Sequence, residues 1–345
     1  MKTRILKINP TKPQIAIIKQ AARLIQRGET VAFPTETVYG LGADALNPSA
    51  VKKIFVAKGR PADNPLIIHI SDKEDLKKLA REIPKITEKI IEKFWPGPLT
   101  VVVKKSKIVP KITTGGLDTV AIRMPKNKIA RFLIKESGVP LAAPSANFFG
   151  RPSPTLAKHV SDDLAGRISM ILDGGKTKIG IESTVIDLTD KTPTLLRPGG
   201  ITLEQIQKLV GTIRVHPIVK GKKSKTIHRS PGMKYKHYSP NAKIILIEGP
   251  KQKVERKIRQ LINDLKKQQK QVGVMSVRRG HTYNADMTRF IGSNPDKMAT
   301  NLFKAFREFD EKRMDVILAQ GISEEGLGLG IMNRLGKAAQ KRIRV

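Results

Sequence analysis

Across residues 1–213, short apolar runs alternate with stretches of helical period, and this confines the chain to an α/β fold with helices flanking buried strands. Ile15 to Ile25 place apolar residues on one helical face, and residues 30–33 form a short buried strand. Asn47-Pro48 supplies a cap and a proline at the first helical position. The helix that follows turns Val51, Ile54 and Phe55 inward and ends near Lys58. Further strands are predicted over residues 66–70, 99–103, 119–123, 168–172, 184–188 and 194–196, with a helix over 72–81 and another after Ile201.

At 345 residues the chain exceeds the usual span of one hydrophobic core, and 39% hydrophobic content suffices for two. Between Arg214 and Asn241 the periodicity gives way to Lys, Arg, His, Ser, Gly and Pro, the composition of a linker. Beyond it, strands are expected over 243–248, 272–277 and 316–319, with helices over 254–265 and 298–309. The expected organisation is a first domain over 1–213, a basic linker or lid over 214–242, and a smaller Rossmann-like α/β domain over 243–345.

Several polar segments directly follow apolar stretches: Pro34 to Gly42, Lys58-Gly59-Arg60-Pro61, Asn64-Pro65 leading to His69, Arg123-Met124-Pro125, and Pro144-Ser145-Ala146-Asn147. Hydroxyls, an amide and fixed cations at strand ends suit a nucleotide and a small acid, because ligands of open α/β sheets bind beyond the carboxyl ends of strands. Lys58 and Arg60 offer two cations to a polyphosphate, although cations also stabilise a helix C-terminus by a few tenths to ~1 kcal/mol. Arg123 can clamp a carboxylate bidentately or form a surface salt bridge. His69 can contact substrate or act as a base. A net charge of +35 favours polyanionic partners, or reflects the Lys-rich composition of heat-adapted proteins. The absence of cysteine excludes disulfides, thiolate zinc sites and a cysteine nucleophile. With no secretory segment and no apolar run of spanning length, a soluble cytoplasmic protein without membrane partners is expected.

Pro34 to Gly42, Lys58 to Pro61, Trp95-Pro96-Gly97-Pro98-Leu99-Thr100, Arg123 to Pro125 and Ala143 to Asn147 resemble the signature segments of the YrdC-like threonylcarbamoyl-AMP synthases, in order and over roughly residues 10–210. The remainder is similar to the long form of that family, whose linker, here residues 230–238, reaches back over the active site. The resemblance implies a YrdC-like twisted sheet flanked by helices. It also implies a nucleotidyltransferase that joins L-threonine, bicarbonate and ATP into L-threonylcarbamoyl-adenylate and pyrophosphate. The product goes to a separate transferase system that modifies the adenosine next to the anticodon of certain tRNAs, so tRNA is a partner directly or through that system. By the same resemblance Thr37, His69, Arg123, the backbone at Ala143 and Ser183 hold threonine. Arg60, Asn64, Thr119, Ser145, Ser153, Arg197 and Tyr235 hold ATP, and Lys58 and Asn147 assist at the phosphates. Lys58, Arg60, Ser145 and Asn147 form the expected catalytic set. Magnesium is expected with the polyphosphate, with no protein ligand assigned.

Other motifs carry less. Gly175-Lys176-Thr177 lacks the first glycine of a phosphate loop, since position 170 is Met170. Gly326-Leu327-Gly328-Leu329-Gly330 lacks the spacing of a dinucleotide fingerprint and reads as a tight strand-to-helix connection. Lys220, Lys222, Lys223 and Lys225 read as a solvated run, whereas Tyr235, His237 and Tyr238 suggest a lid over the labile adenylate. A non-catalytic RNA-binding protein is the alternative, but aromatic content of 4% and no aromatic recognition signature weigh against it. A sugar-phosphate enzyme of related fold would need an acidic metal cluster that the sequence does not display.

Overall fold

The computed structural model describes residues 2–221, 229–230 and 238–345. The chain divides into two compact units, one of Met1–Phe149 and Ser153–Tyr235, the other of Gly150–Pro152 and Lys236–Val345. The second unit therefore takes up three residues from the middle of the stretch expected as one unbroken first domain.

The strands of the first unit are β1 (Arg4–Lys7), β2 (Val31–Pro34), β3 (Tyr39–Asp44), β4 (Ile67–His69), β5 (Ala80–Glu82), β6 (Leu99–Lys105), β7 (Thr119–Arg123), β8 (Leu141–Ala142), β9 (Met170–Asp173), β10 (Thr184–Asp187), β11 (Thr194–Arg197) and β12 (Arg214–Val215). They form one sheet in the order β1-β9-β2-β3-β8-β4-β7-β6-β10-β11-β12, with β5 paired to β6. Parallel and antiparallel neighbours are mixed: β4 runs parallel to β7, and β7 antiparallel to β6.

The helices of this unit are α1 (Ile15–Gln26), α2 (Pro48–Lys58), α3 (Asp75–Leu79), α4 (Lys85–Phe94), α5 (Lys128–Ser137), α6 (Ala157–Leu164) and α7 (Leu203–Val210). Ile18, Ala22 and Ile25 of α1 and Ile129, Leu133 and Ile134 of α5 join Val31, Phe33, Met170 and Leu172 in one core. Two expectations are corrected. The helix predicted over 72–81 stops at Leu79, because Ala80 and Glu82 pair with Lys105 and Lys104; a long-range ladder there outweighs local helical preference. The predicted linker also begins with structure, since Arg214 and Val215 pair with Thr194 and Leu195, and Pro217–Lys220 forms a 3-10 helix.

The second unit holds β13 (Lys243–Glu248), β14 (Val272–Ser276), β15 (Met287–Phe290), β16 (Val316–Gln320) and β17 (Lys341–Arg344), with α8 (Lys251–Lys267), α9 (Pro295–Glu311) and α10 (Leu327–Ala338). All neighbours are parallel, in the order β15-β14-β16-β13-β17. Val254, Ile258 and Ile262 recur at helical spacing and cover Ile247, Val272, Val274 and Leu318. The glycine-rich run after β16 opens α10 and is the strand-to-helix connection read from the sequence.

Candidate active site

One row of cross-strand partners carries most of the first unit's polar chemistry. His69 on β4 is opposite Arg123 on β7, Arg123 is opposite Thr100 on β6, Thr100 is opposite Val185 on β10, and Val185 is opposite Arg197 on β11. Directly opposed residues share a sheet face, so these side chains form a line over five strands. A register shift in the β10–β11 pair leaves Leu196 as the extra residue between Leu195 and Arg197, and this bulge brings Arg197 into the row.

Short bonds fix the members of the row. Arg123 donates from Nε to Gly97 O (3.3 Å), from Nη1 to Thr37 Oγ1 (2.9 Å) and from Nη2 to Glu36 Oε1 (2.7 Å). Arg197 donates from Nε to Ser183 O (3.0 Å) and from Nη2 to Ser183 Oγ (3.1 Å), and Ser183 Oγ lies 2.8 Å from Thr100 Oγ1. Thr35 donates its hydroxyl proton to Val38 O (2.7 Å), so the 2.8 Å contact between the two threonine hydroxyls is donated by Thr37. Thr37 also accepts from Arg123, which leaves it one lone pair and lets it accept, but not donate, a further bond from an amine or hydroxyl.

A second group lies four residues away along β7. Thr119 opens the strand that Arg123 closes, on the same face, which sets the two about 13 Å apart at ~3.3 Å per residue. Arg60 donates from Nη2 to Asn64 O (3.2 Å) and Pro65 O (3.1 Å), just ahead of β4. Gly59 ends α2 in the left-handed conformation, at φ 58°, and turns the chain toward Arg60; a Cβ there would meet the Phe148 ring at 2.9 Å. Ser145 pairs with Gly40, and Ala143 N donates to Ile67 O (2.9 Å), which brings the residues 143–147 loop alongside. Asn64 Nδ2 is buried and has no hydrogen-bond partner among the described residues. A buried amide donor left open in this way suits a ligand acceptor.

Lys58 departs from expectation. Its ammonium is buried, 2.5 Å from Ser145 O and 2.6 Å from Asn147 O, while its own carbonyl accepts from Phe149 N (2.8 Å). Burial, and then the neighbouring Arg60, push the Lys58 amine well below the usual lysine range, with Asp163 acting against them. Two of the three N–H donors expected to assist at the phosphates are thus spent on a staple that holds the loop bearing Ser145 and Asn147.

Burial, then Arg123 and more weakly Arg197, lower His69 to about 3, against a raising by its contact with Ile67 that exceeds the effect of Arg197. The ring is neutral at pH 7 and a weak base. Its Nδ1 lies 3.2 Å from Ile67 O, which can only accept, so Nδ1 carries the proton and Nε2 is left as an acceptor. That arrangement favours substrate contact over proton abstraction.

Ser153 and Arg197, expected on ATP, sit with the row rather than with Arg60. Arg197 does so through Ser183, and Ser153 through a short bond to Glu182, the residue before Ser183. Asn147 donates from Nδ2 to Phe148 O (2.7 Å). Tyr235 and His237 lie outside the described residues. The sequence reading passed over Glu36, Thr100 and Glu182, although Glu36 and Thr100 fall within the segments that carry the resemblance. Of the residues expected in the site, Arg123 and Thr119 occupy opposite ends of one strand, so that expected set is not confined to the carboxyl ends of strands.

Comparison with known proteins identifies the family of the chain. A family model described as telomere recombination, covering Sua5, YciO and YrdC, matches residues 23–199, and one described as the C-terminal domain of threonylcarbamoyl-AMP synthase matches 201–340. A Pyrococcus abyssi protein named threonylcarbamoyl-AMP synthase is 56% identical over 326 residues, covering 94% of this chain and 95% of its own length. A Bacillus subtilis protein of the same name is 47% identical, with coverage of 97% and 96%. A crystal structure of P. abyssi Sua5 complexed with L-threonine superposes with a TM-score of 0.96 at 54% identity, covering 99% of this chain and all of that one. Two family models end to end, full-length relatives and a matching two-domain structure place the chain in the threonylcarbamoyl-AMP synthase family, in its long Sua5 form.

Proposed function

We propose that this enzyme joins L-threonine, bicarbonate and ATP into L-threonylcarbamoyl-AMP and pyrophosphate, supplying the threonylcarbamoyl group for tRNA modification. The observation that carries the reading is the five-strand row of His69, Arg123, Thr100, Val185 and Arg197, with Arg60, Asn64, Thr119 and Ser145 grouped along the same stretch of sheet. Arg123 keeps one N–H on each terminal nitrogen for the amino-acid carboxylate. Thr37 Oγ1 and His69 Nε2, both acceptors, take the amine and hydroxyl of threonine.

The amine forms an N–C bond to carbon dioxide and gives up a proton to water, or displaces the hydroxyl of bicarbonate, which leaves as water with the amine's proton, and either route gives a carbamate. A carbamate oxygen then forms a bond to the α-phosphorus of ATP, and the bond from that phosphorus to the pyrophosphate oxygen breaks. No protein nucleophile is needed, so the protein's part is positioning and charge stabilisation. Because the reacting phosphorus must approach the carbamate, Arg197 and Ser153 in the threonine row are suited to the α-phosphate end. Arg60 is suited to the charge that leaves with pyrophosphate.

Magnesium would come on the polyphosphate. The carboxylates beside the row do not form a cage for it: Glu36 is held by Arg123 and two backbone N–H groups, and Glu182 by Ser153. No step is assigned to the ion.

Incubating the protein with labelled bicarbonate, L-threonine and ATP should release pyrophosphate, and place label in the adenylate, only when all three substrates are present. Pyrophosphate release from ATP alone, at the same rate, would overturn the assignment. The cytoplasm and the tRNA-modifying machinery follow from this function as its setting. Among the described residues no helix is long and apolar enough to cross a membrane.

A further inference from the structure

We propose that Glu36 is a positioning residue that aims Arg123 at the substrate carboxylate, a role that rests on reading the row as a threonine site. Glu36 is buried, with a side chain 8% exposed, and its carboxylate is gripped from two directions. Oε1 accepts from Arg123 Nη2 at 2.7 Å. Oε2 accepts the backbone N–H groups of Lys126 (3.1 Å) and Asn127 (3.3 Å), immediately ahead of α5, whose N-cap is Asn127. The positive end of α5 therefore steadies the Glu36 charge. The Glu36 carbonyl accepts from Ile179 N (2.9 Å), which fixes the residue from a third side.

The consequence falls on the guanidinium. Glu36, Thr37 and Gly97 each take one N–H of Arg123, on three different nitrogens. Those three anchors leave the plane of the group no freedom to turn, and the N–H that remains on each terminal nitrogen keeps a fixed direction. A carboxylate is recognised through paired N–H bonds of set geometry, so a guanidinium free to rotate binds it less well. Glutamate is needed at this position because it is acceptor-only. A glutamine of the same size offers one oxygen and one NH₂, and cannot satisfy Arg123 on one side and two backbone donors on the other. An aspartate keeps the charge but is a methylene too short to span both.

The test uses the full-length protein. Titration of the unaltered protein with L-threonine comes first, and absence of binding would overturn the functional reading and this role with it. If threonine binds, Glu36→Gln should raise the KM and Kd for L-threonine by about tenfold or more. Its KM for ATP, and kcat at saturating threonine, should stay within about twofold, the split expected when ground-state and transition-state binding are lost together. Glu36→Asp should fall between the two proteins and carries the test if Glu36→Gln does not fold. Threonine affinity equal to the unaltered protein in either folded variant would overturn the role. So would a parallel fall in kcat and in affinity for both substrates, which is the signature of a purely structural residue.

Discussion

The sheets of the two units are both covered by helices, yet they handle charge differently. The first buries Glu36, Arg60, Arg123, Glu182 and Arg197, together with the titratable Lys58 and the neutral His69, most of them bonded to one another or to neighbouring loops. In the second, Arg307 and Arg334 are the buried charged side chains among the described residues; Arg307 Nη2 is 2.5 Å from Pro152 O, and Arg334 donates to Gly330 O and lies over the Tyr238 ring. Most of its other cations, such as Lys251, Lys253, Arg256 and Arg259 on α8, are exposed. Burying charge is costly unless it is paired. A single buried arginine tying down a carbonyl needs no ligand to explain it. Arg123, buried with one N–H on each terminal nitrogen beyond its three bonds, is the setting in which the proposed function places an anion.

The largest test of that contrast removes a cation from each kind of setting. Arg123→Ala and Arg60→Ala should each lower adenylate formation by at least about a hundredfold, as loss of an electrostatic anchor does, while Arg259→Ala should leave turnover within about twofold. Equal losses in pyrophosphate-release assays would erase the distinction. Lys58→Met should come next. Removing the amine leaves the Ser145 and Asn147 carbonyls without their donor, which costs about 1–3 kcal/mol in urea unfolding, and activity should fall as the loop loosens.

The pH dependence of stability sharpens the comparison further. His69 is lowered to about 3 when folded, against the ordinary histidine value of 6.5, so between those values the unfolded chain binds a proton that the folded chain refuses. The stability gained by keeping the ring neutral is complete above pH 6.5 and is lost as pH falls toward 3, at up to about 1.4 kcal/mol per pH unit. His69→Asn should flatten that slope in denaturant titrations between pH 4 and 6.5, and the same slope in both proteins would refute the assignment. The smallest effects should come from the caps Asn47 on α2 and Asn294 on α9, which each accept backbone N–H bonds at their helix starts. Replacing either by alanine should cost about 1 kcal/mol without altering kcat, in both units alike.

Local pattern carried much of the fold. The cap and proline at Asn47-Pro48 start α2 where the sequence places it, and the apolar runs at β6, β7 and β10 lie within a residue or two of their predicted ends. Where the reading failed, distant residues decided. β5 exists because Lys104 and Lys105 offer it a ladder, and Lys58 is withdrawn from solvent by carbonyls 87 and 89 residues away. The site was legible as residue types at strand ends, but not as connections. Nothing local in Pro34-Thr35-Glu36-Thr37 announces that its acid grips Arg123, which lies 87 residues downstream. The helices α4, α5 and α6 were missed although their apolar residues recur at helical spacing, with Ile86, Ile90 and Ile91 on one face of α4 and Ile129, Leu133 and Ile134 on one face of α5, so there the local pattern was legible and the reading, not the physics, fell short.

β7 also works as a calliper. With one jaw at Arg123 and the other at Thr119, its length sets how far apart the proposed function holds the threonine and nucleotide ends of the reactant pair. Lengthening it by one residue would turn one jaw to the opposite side of the sheet, whereas lengthening by two would keep both jaws on one side but open them by about 6.6 Å. On the proposed function, the reach between substrates is thereby set by strand length as well as by side chains.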